Sequence, residues 1–233
     1  MRAAHGCWRS RRNAVIANGY TERTKQSGGE FTESYLRAMA SDLPSFPESL
    51  VTGLFIFVDA MEQRNLDYAL IDGLASGYRS HASFTQDVDF LLQVPQMVLP
   101  ELLDDLASKG FEFDLKTTIR QWVQDHMTAL TYQQVQVDWL KPVLPVFQHV
   151  IDTAQQEEWL GHKVRIATAE NLIVTKLVAF RRQDQLDIEN LLAANQGQLD
   201  LDLVRCEMES IAELDDPRLV QFEEMVNQFY SES

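Results

Sequence analysis

An α/β fold, α+β by stricter definitions, is what this sequence predicts: a mixed β-sheet with flanking helices and a C-terminal helical lobe. Three observations carry it. Short alternating or β-branched runs, DYALI, DVDFLL, MTALTY and QVQVDWL, read as strands. Between them lie stretches with apolar residues at helical spacing, such as Leu50, Leu54, Val58 and Met61. From residue 168 onward the strand pattern stops and helical periodicity takes over.

Taken in order, residues 1–38 hold RSRR and TERTKQSGGE, with seven Lys or Arg against three Glu and little apolar periodicity. They read as a disordered basic tail; a nucleic-acid-binding arm and a true start at Met39 are the alternatives. The core is expected over residues 39–167 and the helical lobe over 168–233. Ser45 to Glu48 is a start signal for a helix over residues 47–65. A strand over 68–71 then runs into the turn Asp72-Gly73, a short helix over 74–78, a loop through Thr85, and a strand carrying Asp87-Val88-Asp89. Val94-Pro95 ends that strand, and Leu99, Leu102, Leu103 and Leu106 mark a helix closed by Gly110. Residues 111–113 read as a short strand and 117–126 as a helix. MTALTY and QVQVDWL form a hairpin about Gln133, and WLGHKVRI forms another about Gly161-His162. Thr168 caps a helix bearing Leu172, Ile173, Leu177 and Phe180, and two acidic amphipathic helices, over 199–214 and 217–230, close the chain.

The chemistry concentrates between residues 67 and 92. Strand side chains alternate, so Asp87 and Asp89 share one face while Val88 and Phe90 point into the packed side. Two like charges held that close repel, and a divalent cation with a preference for hard oxygen ligands relieves them. Upstream, Gly73 lets the backbone approach a ligand, and the helix after it turns unpaired N–H groups toward an anion, with Ser76 one turn further in. An anion cradle beside metal carboxylates points to a nucleoside triphosphate. A calcium loop of the EF-hand type is excluded, because Asp89 runs into Phe90-Leu91-Leu92 with no loop glycine or distal Glu.

Ile71-Asp72-Gly73 followed by Asp87-Val88-Asp89-Phe90 resembles the signature of the polymerase-β-like nucleotidyltransferases, closest to the AbiEii-type toxin branch, over roughly residues 60–195. Three positions depart from the pattern: Asp72 replaces the first glycine of the pair, Ser83 an arginine, and Gln183 a lysine. The resemblance implies a mixed-sheet nucleotidyltransferase core with the cleft between it and the helical lobe. It implies that Asp87, Asp89 and a third carboxylate, Asp138, hold Mg²⁺ or Mn²⁺, and that Asp138 acts as base on the attacking hydroxyl. Lys176 and the run Arg181-x-x-Asp184-x-x-Asp187 resemble the toxin branch's later motifs. On that likeness Lys176 and Arg181 face the triphosphate together with Gly73 and Ser76, and Lys176 and Asp184 join Asp138 as catalytic residues. The implied partners are a nucleoside triphosphate, a tRNA or protein acceptor, and a cognate antitoxin. The rival reading is a non-catalytic nucleotide-binding or protein-interaction module on the same fold.

Composition narrows the partners. The 233 residues are 45% hydrophobic, enough for a genuine core, and no apolar run reaches membrane-spanning length. Cys7 and Cys206 are too few for a disulfide framework or a zinc site, and a cytoplasmic location is expected. The formal charge of −15 opposes extensive nucleic-acid binding, although a local RNA contact stays compatible with it. Trp122, Trp139 and Trp159 read as core residues rather than base-stacking platforms.

Overall fold

Strand-forming runs and helical stretches alternate along the chain, and they assemble as a seven-stranded mixed sheet. The computed structural model describes residues 47–80, 85–213 and 215–230. The tail expected over residues 1–38 and the capping Ser45 lie outside them. Helix α1 (Glu48–Glu62) starts directly after Pro47, whose φ of −52° already suits a helix entry. There follow β1 (Asp67–Ile71), α2 (Asp72–Ser80), β2 (Val88–Gln93), α3 (Leu99–Ser108), β3 (Phe111–Glu112), α4 (Leu115–Gln124), β4 (Met127–Tyr132) and β5 (Val135–Leu140). Beyond them come α5 (Pro145–Thr153), β6 (Gln155–Trp159), β7 (His162–Ile166), α6 (Ala169–Ala179), α7 (Arg182–Ala194), α8 (Leu201–Glu209) and α9 (Pro217–Tyr230).

The strand order is β3-β4-β5-β2-β1-β7-β6. Two hairpins, β4-β5 and β6-β7, and the antiparallel pairs β1-β2 and β3-β4 are joined by parallel contacts of β2 with β5 and of β1 with β7. The parallel β2-β5 pair matters most for the site: Phe90 lies opposite Trp139 and Asp89 opposite Asp138. Alternation then sends the aromatic pair to one face and the carboxylates to the other. On the aromatic face Phe57 of α1 meets Phe90 at 4.5 Å and Trp139 at 5.4 Å between ring centroids. Trp122 of α4 crosses Trp139 edge-on at 5.9 Å. All four aromatics are fully buried, and they anchor the core that holds β2 and β5 in register.

Turn chemistry explains several boundaries. The β4-β5 hairpin turns through Gln133 and Gln134, both at positive φ, the backbone that a two-residue turn needs to match strand twist. Thr168 caps α6 by accepting the Asn171 N–H, as its position before the apolar run suggested. Phe180 takes a left-handed φ of 49°, so α6 stops and α7 begins as a separate helix rather than as a continuation. Helix α5 is absent from the periodicity reading. Pro142 and Pro145 look like breakers, yet Pro145 sits in the first helical turn, where its missing N–H costs nothing. α5 then buries Val146, Val150 and Ile151 against β1 and β2.

Candidate active site

Four chain segments meet at the end of β1. Ile71 is followed at once by Asp72, held at φ 55°, which swings the chain from strand to helix and leaves the Asp72 carboxylate at the start of α2. Left-handed backbone suits Asp and Asn better than other side chains, so the residue that replaces the expected glycine is one of the few the turn accepts. At its far end α2 is tied down. Arg79 donates to the Ala167 carbonyl at 3.0 Å and to Glu157 at 2.8 Å, while the Asn195 amide donates to the Arg79 carbonyl at 3.2 Å.

Asp89 is half-buried on β2, beside Ile71 in the antiparallel register and beside Asp138 in the parallel one. Asp87 lies one residue before the strand and is exposed. Burial, then the Asp72 and Asp138 carboxylates, push the Asp89 carboxyl up to about 7 against the pull of Lys176. Asp138 is also raised, chiefly by burial, with Asp87 and Asp72 adding to it. The Gln136 amide opposes that shift by donating to both its oxygens at 2.9 and 3.0 Å.

Opposite this acidic strip, α6 and α7 supply the cations. Lys176 is buried, and its ammonium contacts Asp72, Asp187 at 2.7 Å and Asp184 at 3.5 Å. Burial by itself would depress the Lys176 ammonium, but Asp72 and Asp187 outweigh it and raise it. Arg181 holds Asp184 through Nε at 2.8 Å and Nη2 at 3.0 Å, and the same carboxylate accepts the Arg181 backbone N–H at 2.7 Å. Burial would raise Asp184, but these Arg181 bonds keep it below the usual carboxylate range. The exposed guanidinium also reaches Asp72 at 3.5 Å. The break at Phe180 makes this possible: α7 folds back so that Asp184 and Asp187 both face Lys176.

Sequence reasoning expects both cations to face a triphosphate; the structure adds the Asp72 carboxylate, which contacts both. Asp187, noted in the charged run but not expected in the site, is the second residue it adds. Its signal was the three-residue step from Asp184, which puts the two on one helix face. Oxygens of Asp72, Asp184 and Asp187 lie within 4.8 Å of one another, close enough to suit a metal ion, but the Lys176 ammonium already sits against all three. Altogether six carboxylates, those of Asp72, Asp87, Asp89, Asp138, Asp184 and Asp187, face two cations. That surplus falls on the Asp87, Asp89 and Asp138 side, where no salt bridge to a lysine or arginine forms among the described residues, although these three carboxylates do not share the close spacing of Asp72, Asp184 and Asp187.

Ser76 is buried in α2 with an Oγ that has no hydrogen-bond partner among the described residues. Gly73 faces Thr85: a Cβ there would lie 2.7 Å from Thr85 Cβ and 2.9 Å from its Oγ1. Close approach of the loop before β2 is thus one reason for the glycine. Gly73→Ala should destabilise the fold by about 1–3 kcal/mol through this clash. The double variant with Thr85→Gly, which removes the clashing Cβ, should recover most of that contact's cost in urea unfolding, and equal losses in both would refute the contact.

A family model described as "Nucleotidyl transferase of unknown function (DUF2204)" matches residues 57–222. A search of curated proteins finds no match. Among solved structures, an antigenic nucleotidyltransferase-like protein from Paracoccidioides brasiliensis is similar at 17% identity and a TM-score of 0.48, covering 79% of this chain and 97% of that one. Lincosamide antibiotic adenylyltransferase LnuA, in its lincomycin-bound form, is similar at 15% identity and a TM-score of 0.43, covering 61% and 96%. ANT(2")-Ia, in complex with adenylyl-2"-tobramycin, is similar at 16% identity and a TM-score of 0.41, covering 78% and 97%.

Proposed function

Because this chain belongs to the nucleotidyl transferase family DUF2204, we propose that it transfers a nucleoside monophosphate from a triphosphate to an acceptor hydroxyl. The observation that carries the reading is the parallel register that sets Asp138 beside Asp89, with Asp87 and the Asp72-Gly73 turn at the same sheet end. In the proposed reaction the acceptor oxygen bonds to the α-phosphorus and pyrophosphate leaves. Asp138, raised above the usual carboxylate range, takes the acceptor's proton. Asp87 and Asp89, with Asp138, would hold Mg²⁺ or Mn²⁺. Such ions, when bound, neutralise phosphate charge and sharpen the attacking hydroxyl. Lys176 and Arg181 supply positive charge toward the triphosphate, and Asp184 fixes the Arg181 guanidinium.

Kinship with the AbiEii-type toxins is part of this proposal and rests on Lys176 and the Arg181, Asp184 and Asp187 run. A tRNA acceptor and a neutralising antitoxin would follow from it. The charge of −15 argues instead for an acceptor without an extended phosphate backbone. No helix among the described residues is long and apolar enough to cross a membrane. A cytoplasmic setting, where nucleoside triphosphates are supplied, would suit both the nucleotide and such an acceptor.

Titration calorimetry with each of the four nucleoside triphosphates, in Mg²⁺ and in chelator, tests the reading. Binding is expected in Mg²⁺ alone, since the carboxylates repel a bare triphosphate. Equal binding in chelator would remove the metal role. Metal-dependent binding without incorporation of labelled nucleotide into any acceptor supports the second reading, a non-catalytic nucleotide-binding module, which the hold of Asp72 on both cations favours.

A further inference from the structure

Lys176 and Arg181 stand where cations are needed for a triphosphate, yet both are already engaged by the carboxylate of Asp72. Three features make Asp72 resemble a bound anion. It sits in the first turn of α2, where the helix dipole favours negative charge. It bridges a buried ammonium on α6 and an exposed guanidinium on α7, two helices that share no covalent turn with it. It follows Ile71, the register partner of Asp89, so it adjoins the acidic strip of β2 while contacting both cations.

We propose that Asp72 is a built-in competitor for the phosphate cradle: its carboxylate fills the subsite that Lys176 and Arg181 would offer to a triphosphate, and so sets nucleotide affinity. The inference rests on the nucleotide-binding reading above. Binding then requires the Asp72 side chain to leave both cations, and the free energy of those two ion pairs is subtracted from that of the phosphate contacts. Relief can come from within the same site. A divalent ion arriving with the nucleotide gives the released carboxylate a new opposite charge, which links metal and nucleotide binding more tightly than phosphate repulsion alone.

The turn itself supplies clean variants, since Gly and Asn both accept a φ of 55°. Asp72→Gly removes the carboxylate, and Asp72→Asn keeps its shape without its charge. Calorimetric affinities are measured in Mg²⁺ for ATP and for inorganic tripolyphosphate, at 0.05 M and 0.5 M KCl, with circular dichroism melts confirming folded protein. Both variants are expected to bind both probes at least tenfold more tightly than the wild type, with most of the gain kept at high salt. A gain of affinity cannot arise from damage to the fold. Unchanged or weaker binding of both probes overturns the inference, and weaker binding identifies Asp72 as a ligand rather than a competitor. A gain that vanishes at 0.5 M KCl also overturns it, because that is the behaviour of a screened general field. A gain for tripolyphosphate without any ATP binding leaves the competitor role standing and removes the nucleotide reading instead.

Discussion

Asp89→Asn is expected to abolish nucleotide transfer while raising the melting temperature of the metal-free protein at pH 8 by about 5 °C. The amide has nearly the same shape, so Val88 and Phe90 keep their packing, but the repulsion from Asp72, Asp138 and Asp87 disappears. The pH dependence fixes the sign. In the unfolded chain the Asp89 carboxyl loses its proton near the ordinary value of about 4, whereas in the fold it keeps it to about 7. Between those values the folded state holds more protons. Stability contributed by Asp89 is therefore full below about 4 and is lost as pH rises through about 7. Wild type should lose melting temperature from pH 5 to pH 8 more steeply than Asp89→Asn. Mg²⁺ should restore the wild type at pH 8 and leave the variant unmoved. Parallel pH profiles, or identical Mg²⁺ shifts, would refute the assignment of Asp89 as a strained metal carboxylate.

Lys176→Met should cost the most stability of any single change in the site. The lysine is buried against three carboxylates, two of them buried themselves. Methionine fills much of the same volume but leaves Asp187 with little beyond a long amide contact from Gln183 at 3.4 Å. Breaking a buried pair from one side typically costs about 3–5 kcal/mol, which for a chain of this size is about 10 °C of melting temperature. Removing the orphaned charge as well, in Lys176→Met with Asp187→Asn, should recover at least half of it. A loss under 2 °C for the single variant would mean that the carboxylates relax into solvent and that the ion pairs contribute little. Lys176→Arg is not a safe control, because a planar fork does not fit three oxygens gathered around a point charge.

Most of the sheet was legible because its cues are local. Alternation in QVQVDWL and the apolar spacing in α1 state their own burial, and Asp138 was placed beside Asp89 by recognising the preceding hairpin. The Asp87 position was read one residue too far into β2, since alternation does not say where pairing with a neighbour begins. α5 stayed hidden behind two prolines. The cation nest is the larger omission. Opposite charges attract whatever their separation in the chain, so Asp72 could be recognised as out of place in a phosphate turn, but not as the partner of Lys176. Gly73 carries the same lesson. A glycine in such a turn invites a ligand-based reason, whereas the contact that excludes a side chain there comes from Thr85, twelve residues on.

The ion pair between Asp72 and Lys176 closes a chain separation of 104 residues. Its neighbours are no more local: Asp89 and Asp138 come together only through a parallel strand pair that bypasses β3 and β4. Contacts of this kind demand a large loss of chain entropy before they return anything, so a local fragment has little to hold them. Isolated fragments would thus carry only part of the site: the β1-α2-β2 segment holds three of its carboxylates and neither cation, the α6-α7 pair both cations and two carboxylates, and Asp138 belongs to neither. Binding at the proposed site would therefore report completion of the whole tertiary structure.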